Sequence, residues 1–293
     1  MNAIRPTQRE SVLVLGTSGM LGNAVFRYFW DRKDHDVIGS VRSSAALSRF
    51  PAQVRTQLVD GVNVEDPDHL MRLLASIRPS VVINCVGVVK QLTEADDALV
   101  AIPLNALLPH RLACLCAIGG ARLIHISTDC VFSGKKGTYH ESDLPDAGDL
   151  YGRSKLLGEV AHRHTITLRT SIIGHELGHA HGLLNWFLAQ SAEVRGYARA
   201  VFSGLPTIEL ARVIHDYVLP DSTLHGVYHV SAEPIDKHSL LKLIARVYGK
   251  TITITPDETI VIDRSLDSTP FRAATGYVPP SWPEMIARMH EFG

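Results

Sequence analysis

The sequence predicts an α/β fold: a doubly wound parallel sheet with a smaller, interleaved C-terminal region. Three observations predict it. A short apolar run near the chain start breaks into three glycines spaced three apart. Apolar runs of strand length then alternate with amphipathic helices as far as residue 170, and past Ser171 that alternation dissolves.

The opening stretch, residues 11–22, reads SVLVLGTSGMLG. Residues 12–15 are too few and too β-branched for a helix and form a buried strand. Gly16, Gly19 and Gly22 let the chain turn, let a diphosphate approach the backbone, and let the next helix pack closely on the strand. That helix runs over about residues 19–30, its unpaired N–H groups and positive dipole end facing any anion bound there. Taken alone, a plain structural turn explains the loop equally well.

Residues 35–41 (HDVIGSV) are the second strand. Where NAD-binding units place an acid for the ribose 2′-hydroxyl, this chain has Gly39, Ser40, Val41 and Arg42. Arg42, helped by Ser40 and Ser43, suits a 2′-phosphate instead, which points to NADPH, with NADH as second choice. A solvated surface arginine is the plain alternative. Residues 57–59 form a third strand ending at Asp60, placed to reach an adenine amino group beside Gly61 and Val62. Residues 67–77 are an amphipathic helix opened by Pro67 and stopped before Pro79. Residues 80–84 (SVVIN) are apolar nearly throughout, as a parallel strand covered on both faces should be. Asn84, Cys85, Val86 and Gly87 follow at its C-terminal edge, where open sheets bind ligands.

A helical region over residues 95–118 comes next, interrupted near Pro103 and Pro109. Residues 122–126 (RLIHI) and 165–169 (TITLR) are the fifth and sixth strands. Between them a helix starts at Asp149, DLYGRSKLLGEVAHR, with Leu150, Leu157 and Val160 on its apolar side. Beyond lie helices over residues 183–190, 208–218 and 238–248, and short β segments at 227–230, 252–254 and 259–262. Residues 1–171 are read as a dinucleotide-binding domain. Residues 172–293 are read as a smaller substrate-binding region over the cleft, with some segments returning to the first.

The composition, 45% apolar and 20% charged, is that of an ordinary globular chain. A net charge of −1 makes no electrostatic case for nucleic acid or an anionic membrane. The first ten residues lack an apolar h-region, and no run approaches the roughly 18–20 apolar residues of a membrane helix. A cytoplasmic protein is expected. Cys85, Cys114, Cys116 and Cys130 form no CxxC pair and sit in apolar or strand-like contexts, so buried free thiols are expected rather than disulfides or zinc.

Tyr151 and Lys155 stand four apart on one helix and project from the same face. A free phenol titrates at about 10. A nearby ammonium stabilises phenolate and lowers that value, giving a group that donates a proton and recovers it. Thr128, at the end of a neighbouring strand, offers a hydroxyl to the same substrate oxygen.

The set GTSGMLG, INCVG, STDCVFSG and YGRSK resembles the extended short-chain dehydrogenase/reductases. STDCVFSG with LRTSIIG is similar to their dTDP-4-dehydrorhamnose reductase branch. The resemblance covers most of the chain, strongest over residues 12–174, with SGLPT (203–207) and DRSLD (263–267) resembling substrate-side motifs. It implies a Rossmann-type sheet and a catalytic set of Thr128, Tyr151 and Lys155, with Lys155 also on the nicotinamide ribose. The implied cofactor wall is Gly16, Ser18, Gly19, Met20, Leu21, Gly22, Ser40, Arg42, Asp60, Gly61, Val62, Asn84, Cys85, Val86, Gly87, Asn105, Ser127, Thr170 and Ser171. Substrate contacts are expected at Val88, Lys90, Thr128, Asp129, Trp186, Pro206, Thr207 and Arg264, the last toward a diphosphate. Asp129 has the alternative of capping the following turn.

The reaction so implied is hydride transfer from NADPH to the C4 carbonyl of a nucleotide-linked 4-keto-6-deoxy sugar, in precursor synthesis for cell-surface polysaccharide. Thr128 polarises the carbonyl, Tyr151 protonates the forming alkoxide, and Lys155 keeps that transfer favourable. CVGVVKQ departs from the alanine-rich AAAYT of the branch, so residues 88–91 are expected to shape a different sugar. Three rival readings stand beside this one. HELGHAHGLLN (residues 175–185) contains H-E-x-x-H, but its glycines break the helix that a zinc site needs, and no metal is expected. An epimerase of the same superfamily keeps the fold and uses bound NAD. A non-catalytic, NADP-binding regulatory subunit, like the relative that serves methionine adenosyltransferase, has no need of Tyr151 and Lys155. A homodimer is one open state of assembly.

Overall fold

The structure, a computed structural model, describes residues 9–90, 93–178 and 180–293; Gln91 and His179 lie outside them. β1 (Ser11–Leu15) is buried over four of its five residues, because helices cover both faces of the sheet. α1 (Met20–Arg32) leads to β2 (Asp36–Ser40) and β3 (Leu58–Val59). α2 (Pro67–Ile77) has the expected bounds: Asp66 accepts from the N–H groups of Asp68 and His69, and Arg78 ends it in the left-handed region. β4 (Val81–Asn84), β5 (Arg122–Thr128) and β6 (Thr165–Thr170) follow. The strand Gly226–His229 returns from the C-terminal region and pairs with β6, making a seven-stranded sheet, parallel throughout.

The sheet order from one edge is Gly226–His229, β6, β5, β4, β1, β2, β3. Chain direction across the sheet reverses between β1 and β4, and ligands bind outside the C-terminal ends of strands at such a switch point. The register aligns Leu15 with Asn84 and Asn84 with His125. β5 therefore runs three residues further out than β4 and carries Ser127 and Thr128 past the sheet edge.

One face of the sheet is covered by α2 and the helix Leu108–Gly119, whose Leu70, Leu73, Leu108 and Leu112 pack on Leu13, Leu15 and Leu123. The other is covered by α1 and C-terminal helices, with Phe26 and Phe29 beside Val213, Ile214, Leu240 and Met285. The C-terminal region thus shares a core with the nucleotide-binding side.

Several expectations are corrected. The helical region is not interrupted at its prolines. From Ala98 to Gly119 it runs 22 residues without a break. Pro103 sits at the start of a wide π segment, Ile102–Leu107, which accommodates the missing N–H, and Pro109 opens the next α segment. By length and composition alone this helix could cross a membrane, contrary to the expectation that no segment would. Part of it is core, where Leu108, Leu112, Ala113 and Cys116 are buried.

The helix after Asp149 spans Leu150–Leu157 and stops at Gly158, where a Cβ would stand 1.9 Å from the carbonyl oxygen of Asn105. Leu157 is exposed and Val160 lies beyond the helix; the buried side is Gly152, Ser154 and Lys155. Cys114 is exposed, although all four cysteines are free. The β segments expected at 252–254 and 259–262 fall at Ile254–Asp257 and Ile262–Asp263. Their register is set by distant partners, Val194–Tyr197 and Ala200–Phe202, strands that were not foreseen. Also unforeseen are helices Thr269–Thr275 and Trp282–Phe292, the latter opened by a Ser281/Glu284 capping box.

Candidate active site

The glycine loop is shaped by close approaches of backbone. Gly16 has φ 81°, and a Cβ there would lie 3.0 Å from the Val86 side chain and 3.2 Å from the carbonyl of Cys85. A Cβ on Gly22 would fall 2.2 Å from the Gly16 oxygen, so α1 can start this close to β1 only with glycine at both places. Thr17, which was not singled out from sequence, is buried and ties the loop down. Its hydroxyl donates to Val14 O at 3.1 Å and accepts from Ser40 N at 3.0 Å. α1 begins at Gly19 with no side-chain cap and no acid in its first turn, which leaves its N–H groups and positive end available to an anion.

Ser40 is buried, and its hydroxyl accepts from the Gly16 N–H at 3.3 Å. It holds the loop, rather than standing open beside a 2′-phosphate as expected. Arg42 is exposed just past β2 and has no hydrogen-bond partner among the described residues. Ser18 and Met20 are half-buried, Gly19 is exposed, and Leu21 is buried. Asp60 accepts from the Ser44 hydroxyl, Gly61 has φ 69°, and Val62 is buried behind them.

The second wall follows β4. Asn84 is buried. Its Oδ1 accepts from Val86 N at 3.1 Å and its Nδ2 lies 3.2 Å from His125 Nδ1. Cys85 N donates to Leu15 O at 3.1 Å, extending the ladder to β1. Asn105, delivered by the π segment, is also fully buried. It accepts from Val88 N at 3.0 Å and donates to Ser154 Oγ at 3.2 Å, clasping this loop to the Tyr151 helix. A Cβ on Gly87 would be 3.1 Å from Asn105 Oδ1 and 3.8 Å from Lys155 Nζ, so the loop, the π segment and the lysine meet at one point.

β5, which carries Thr128, packs against the helix Leu150–Leu157, which carries Tyr151 and Lys155. Thr128 ends β5; its hydroxyl donates to Asp129 Oδ1 at 3.2 Å and accepts from Cys130 N at 3.1 Å. Thr128, not Asp129, caps the following turn. Burial pushes the Tyr151 phenol above its usual range; Cys130, Asp129 and Asp149 add to that rise, and the Thr128 hydroxyl works against it. The lowering expected from Lys155 is not found. Lys155 is buried and donates to Ile126 O at 2.6 Å; burial draws its pKa down to about 8, against an opposing pull from Glu159. Burial also raises the Cys130 thiol to about 12, so it stays protonated.

Beneath these residues lies a polar network that sequence reasoning missed. Arg169 and Glu159 form a two-pronged pair at 2.7 and 2.8 Å, with side chains only 6% and 8% exposed. Ser127 donates to the same carboxylate at 2.7 Å, so it faces inward rather than toward a cofactor. His229, held neutral with a pKa near about 4 by burial and by Arg169, lies 3.2 Å from Arg169 Nη1. The available signal was one arginine in the otherwise uncharged strand TITLRT. Thr170 is buried, donating to Ser171 O at 3.2 Å, and Ser171 is half-buried.

The rim is charged. Burial raises the Asp129 carboxyl, while Arg264 and Lys237 pull it down. Lys237, also unforeseen, lies 3.9 Å over the Phe202 ring, and burial draws its pKa to about 8. Arg264 donates to Phe132 O at 2.8 Å. Lys90 pairs with Asp149 at 2.6 Å, both side chains 38% exposed; such a surface pair adds little to stability. Val88, Pro206 and Thr207, expected as substrate contacts, are buried. Thr207 fills the space beside Gly174, where a Cβ would lie 2.2 Å from its hydroxyl. Trp186 is exposed, while its neighbour Phe187 is fully buried. Residues 175–178 and 180–181 are not helical. His175 Nε2 lies 2.9 Å from the Tyr248 hydroxyl, and Glu176 accepts from Gly182 N at 2.7 Å.

The family described as RmlD substrate binding domain matches residues 10–291. Methionine adenosyltransferase 2 subunit beta of Danio rerio is 31% identical over 262 residues, 83% of this chain and 75% of that protein. The probable low-salt glycan biosynthesis reductase Agl14 of Haloferax volcanii is 32% identical over 228 residues, 76% of this chain and 70% of that one. A dTDP-4-dehydrorhamnose reductase of Bacillus anthracis, crystallised with NADP, is similar in fold, with a TM-score of 0.78 at 22% identity. That match covers 97% of this chain and 99% of the other.

Proposed function

The chain belongs to the RmlD substrate binding domain family, within the extended short-chain dehydrogenase/reductases, and on that premise we propose that it is an NADPH-dependent reductase. Its substrate is the C4 carbonyl of a nucleotide-activated 4-keto-6-deoxy sugar. The observation that carries this reading is the packing of β5, which ends in Thr128, against the helix that carries Tyr151 and Lys155, with the Lys155 ammonium beside Gly87. A plain nucleotide-binding domain has no need of a threonine, a tyrosine and a buried lysine on these two packed elements.

The residues present fit a dinucleotide: the loop of Gly16, Gly19 and Gly22, the uncapped first turn of α1, and Arg42 past β2 toward a 2′-phosphate. When bound, the dinucleotide supplies the hydride. Thr128 turns its hydroxyl proton from Asp129 to the carbonyl oxygen, and Tyr151 gives its proton to that oxygen as alkoxide forms. A phenol raised by burial keeps its proton until a base as strong as alkoxide appears, so the transfer follows charge development. Charged Lys155, beside Gly87, is placed to hold the ribose.

Arg42→Ala is expected to weaken NADPH binding by about tenfold to a hundredfold, the value of one or two charge-assisted hydrogen bonds, and to leave NADH nearly unchanged. Titration of both cofactors by fluorescence checks it; equal loss for both refutes the role of Arg42. The rate should fall as pH rises through about 8, where Lys155 loses its proton while Tyr151 keeps it. Lys237 titrates in the same range, so the profile is repeated with Lys237→Met. A limb that survives this change belongs to Lys155, and a limb that vanishes assigns it to Lys237.

The deciding experiment is NADPH oxidation over a panel of nucleotide-linked 4-keto-6-deoxy sugars, with product stereochemistry read by NMR. A second reading has its own support: a relative matching 83% of this chain is named as a subunit of methionine adenosyltransferase 2. On that reading the chain binds NADPH as a regulatory subunit and turns over no sugar. Tight NADPH binding with no turnover across the panel would favour it.

A further inference from the structure

At the opposite edge of the sheet, where β1 and β2 begin, two histidines and a carboxylate converge from distant parts of the chain. Asp34 and His35 form the turn between α1 and β2. His215 lies 181 residues beyond Asp34, in the π turn Ile214–Val218 that extends the helix Thr207–Val213. Asp34 Oδ1 is 2.8 Å from His35 Nδ1 and 3.1 Å from His215 Nε2, and Asp34 Oδ2 is 3.0 Å from His215 Nε2. One ligand atom from each residue lies within 4.8 Å of the other two. Donors held at about 2.0–2.2 Å around one ion stand about 3 to 3.5 Å apart, so these side chains need little movement to share one.

The surroundings prepare the imidazoles for that role. His215 Nδ1 lies 2.7 Å from Asp216 Oδ1, and His35 Nε2 lies 3.8 Å from Glu10 Oε2. Without an ion the inner nitrogens, His35 Nδ1 and His215 Nε2, donate to Asp34; an ion takes the place of those protons, and Asp216 then accepts the N–H left on His215 Nδ1. Carboxylates orient metal-bound histidines in the same way. Arg32 and Arg212, 3.9 and 3.7 Å from Asp216, keep that acid engaged away from the inner face. The Phe29 ring packs on both imidazoles, with centroids 5.6 and 5.0 Å away, which fixes their planes. A cavity of about 330 Å³, walled also by Leu219 and Pro220, opens beside the three residues and leaves room for water ligands.

We propose that Asp34, His35 and His215 bind a divalent transition-metal ion, and that the ion ties the α1–β2 turn to the C-terminal helices. Two imidazoles and one carboxylate suit zinc and disfavour magnesium and calcium, which take oxygen ligands. The site is remote from Tyr151 and Lys155. Its effect is on the folded state, which binds the ion while the unfolded chain does not assemble the site.

The test uses the tag-free full chain, stripped with chelator, titrated with Zn²⁺ by calorimetry and with Co²⁺ by visible absorption. One saturable site per chain is expected, with a cobalt spectrum of nitrogen and oxygen ligation and a higher melting temperature in zinc. Asp34→Asn, at a half-exposed position that does not endanger the fold, and His35→Gln should each weaken zinc by about tenfold or more and remove the melting shift. His175→Gln and Cys114→Ser, at other places where zinc could lodge, should change neither. Absence of saturable zinc binding, or unchanged affinity in Asp34→Asn and His35→Gln, overturns the proposal.

Discussion

Tyr151→Phe is expected to lower kcat for the reduction by about a thousandfold, within the usual range for a general acid, while changing the affinity for NADPH little. The substitution removes one oxygen and keeps the ring. Thr128 still donates to the substrate carbonyl, so the loss falls on proton transfer and not on binding. Single-turnover kinetics with NADPH and the active member of the sugar panel measure it. A variant that keeps the wild-type rate would remove Tyr151 from the chemistry and return the dinucleotide to a binding role.

Arg169→Met is expected to destabilise the fold by about 3–5 kcal/mol, the typical result of leaving one partner of a buried ion pair alone. Glu159 is 8% exposed and would keep only Ser127 of its three hydrogen bonds. His229 and the Phe132 ring, which lies 5.3 Å from the guanidinium, would lose their contact as well. Urea unfolding followed by circular dichroism gives the difference. The double variant Glu159→Met with Arg169→Met should recover much of it, because no buried charge then remains. A loss below about 1 kcal/mol for the single change would mean that water reaches the pair. The network sits beneath Thr128 and beside Lys155, whose charge Glu159 supports. Removal of Glu159 in the double variant is therefore also expected to move the alkaline limb of the rate to lower pH.

The alternation of strands and helices was legible as far as β6 because each parallel strand is covered on both faces, and a run such as VVIN has no other stable place. α2 was legible to the residue because its end signals, Asp66 and Pro67, act locally. Tyr151 and Lys155 were legible as a pair because helical spacing puts them on one face whatever surrounds them. The C-terminal strands were placed two or three residues early because register there comes from partners some 60 residues away.

What the sequence determined by itself was therefore whatever depends on neighbours within a turn or two of chain: the glycine loop, the helix caps, the period of each element, and the Tyr151–Lys155 spacing. Only the tertiary structure decided how polar groups are used, because hydrogen bonds and desolvation depend on three-dimensional neighbours. Ser40, Asn84, Asn105 and Ser127, each expected in the cofactor wall, are buried and hold loops or charges in place. Tyr151 is raised rather than lowered because burial outweighs the help of Thr128 and Lys155 gives its hydrogen bond to Ile126. The meeting of Asp34 and His35 with His215 depends on how the C-terminal helices pack on α1, a contact between residues 181 apart that no local pattern encodes.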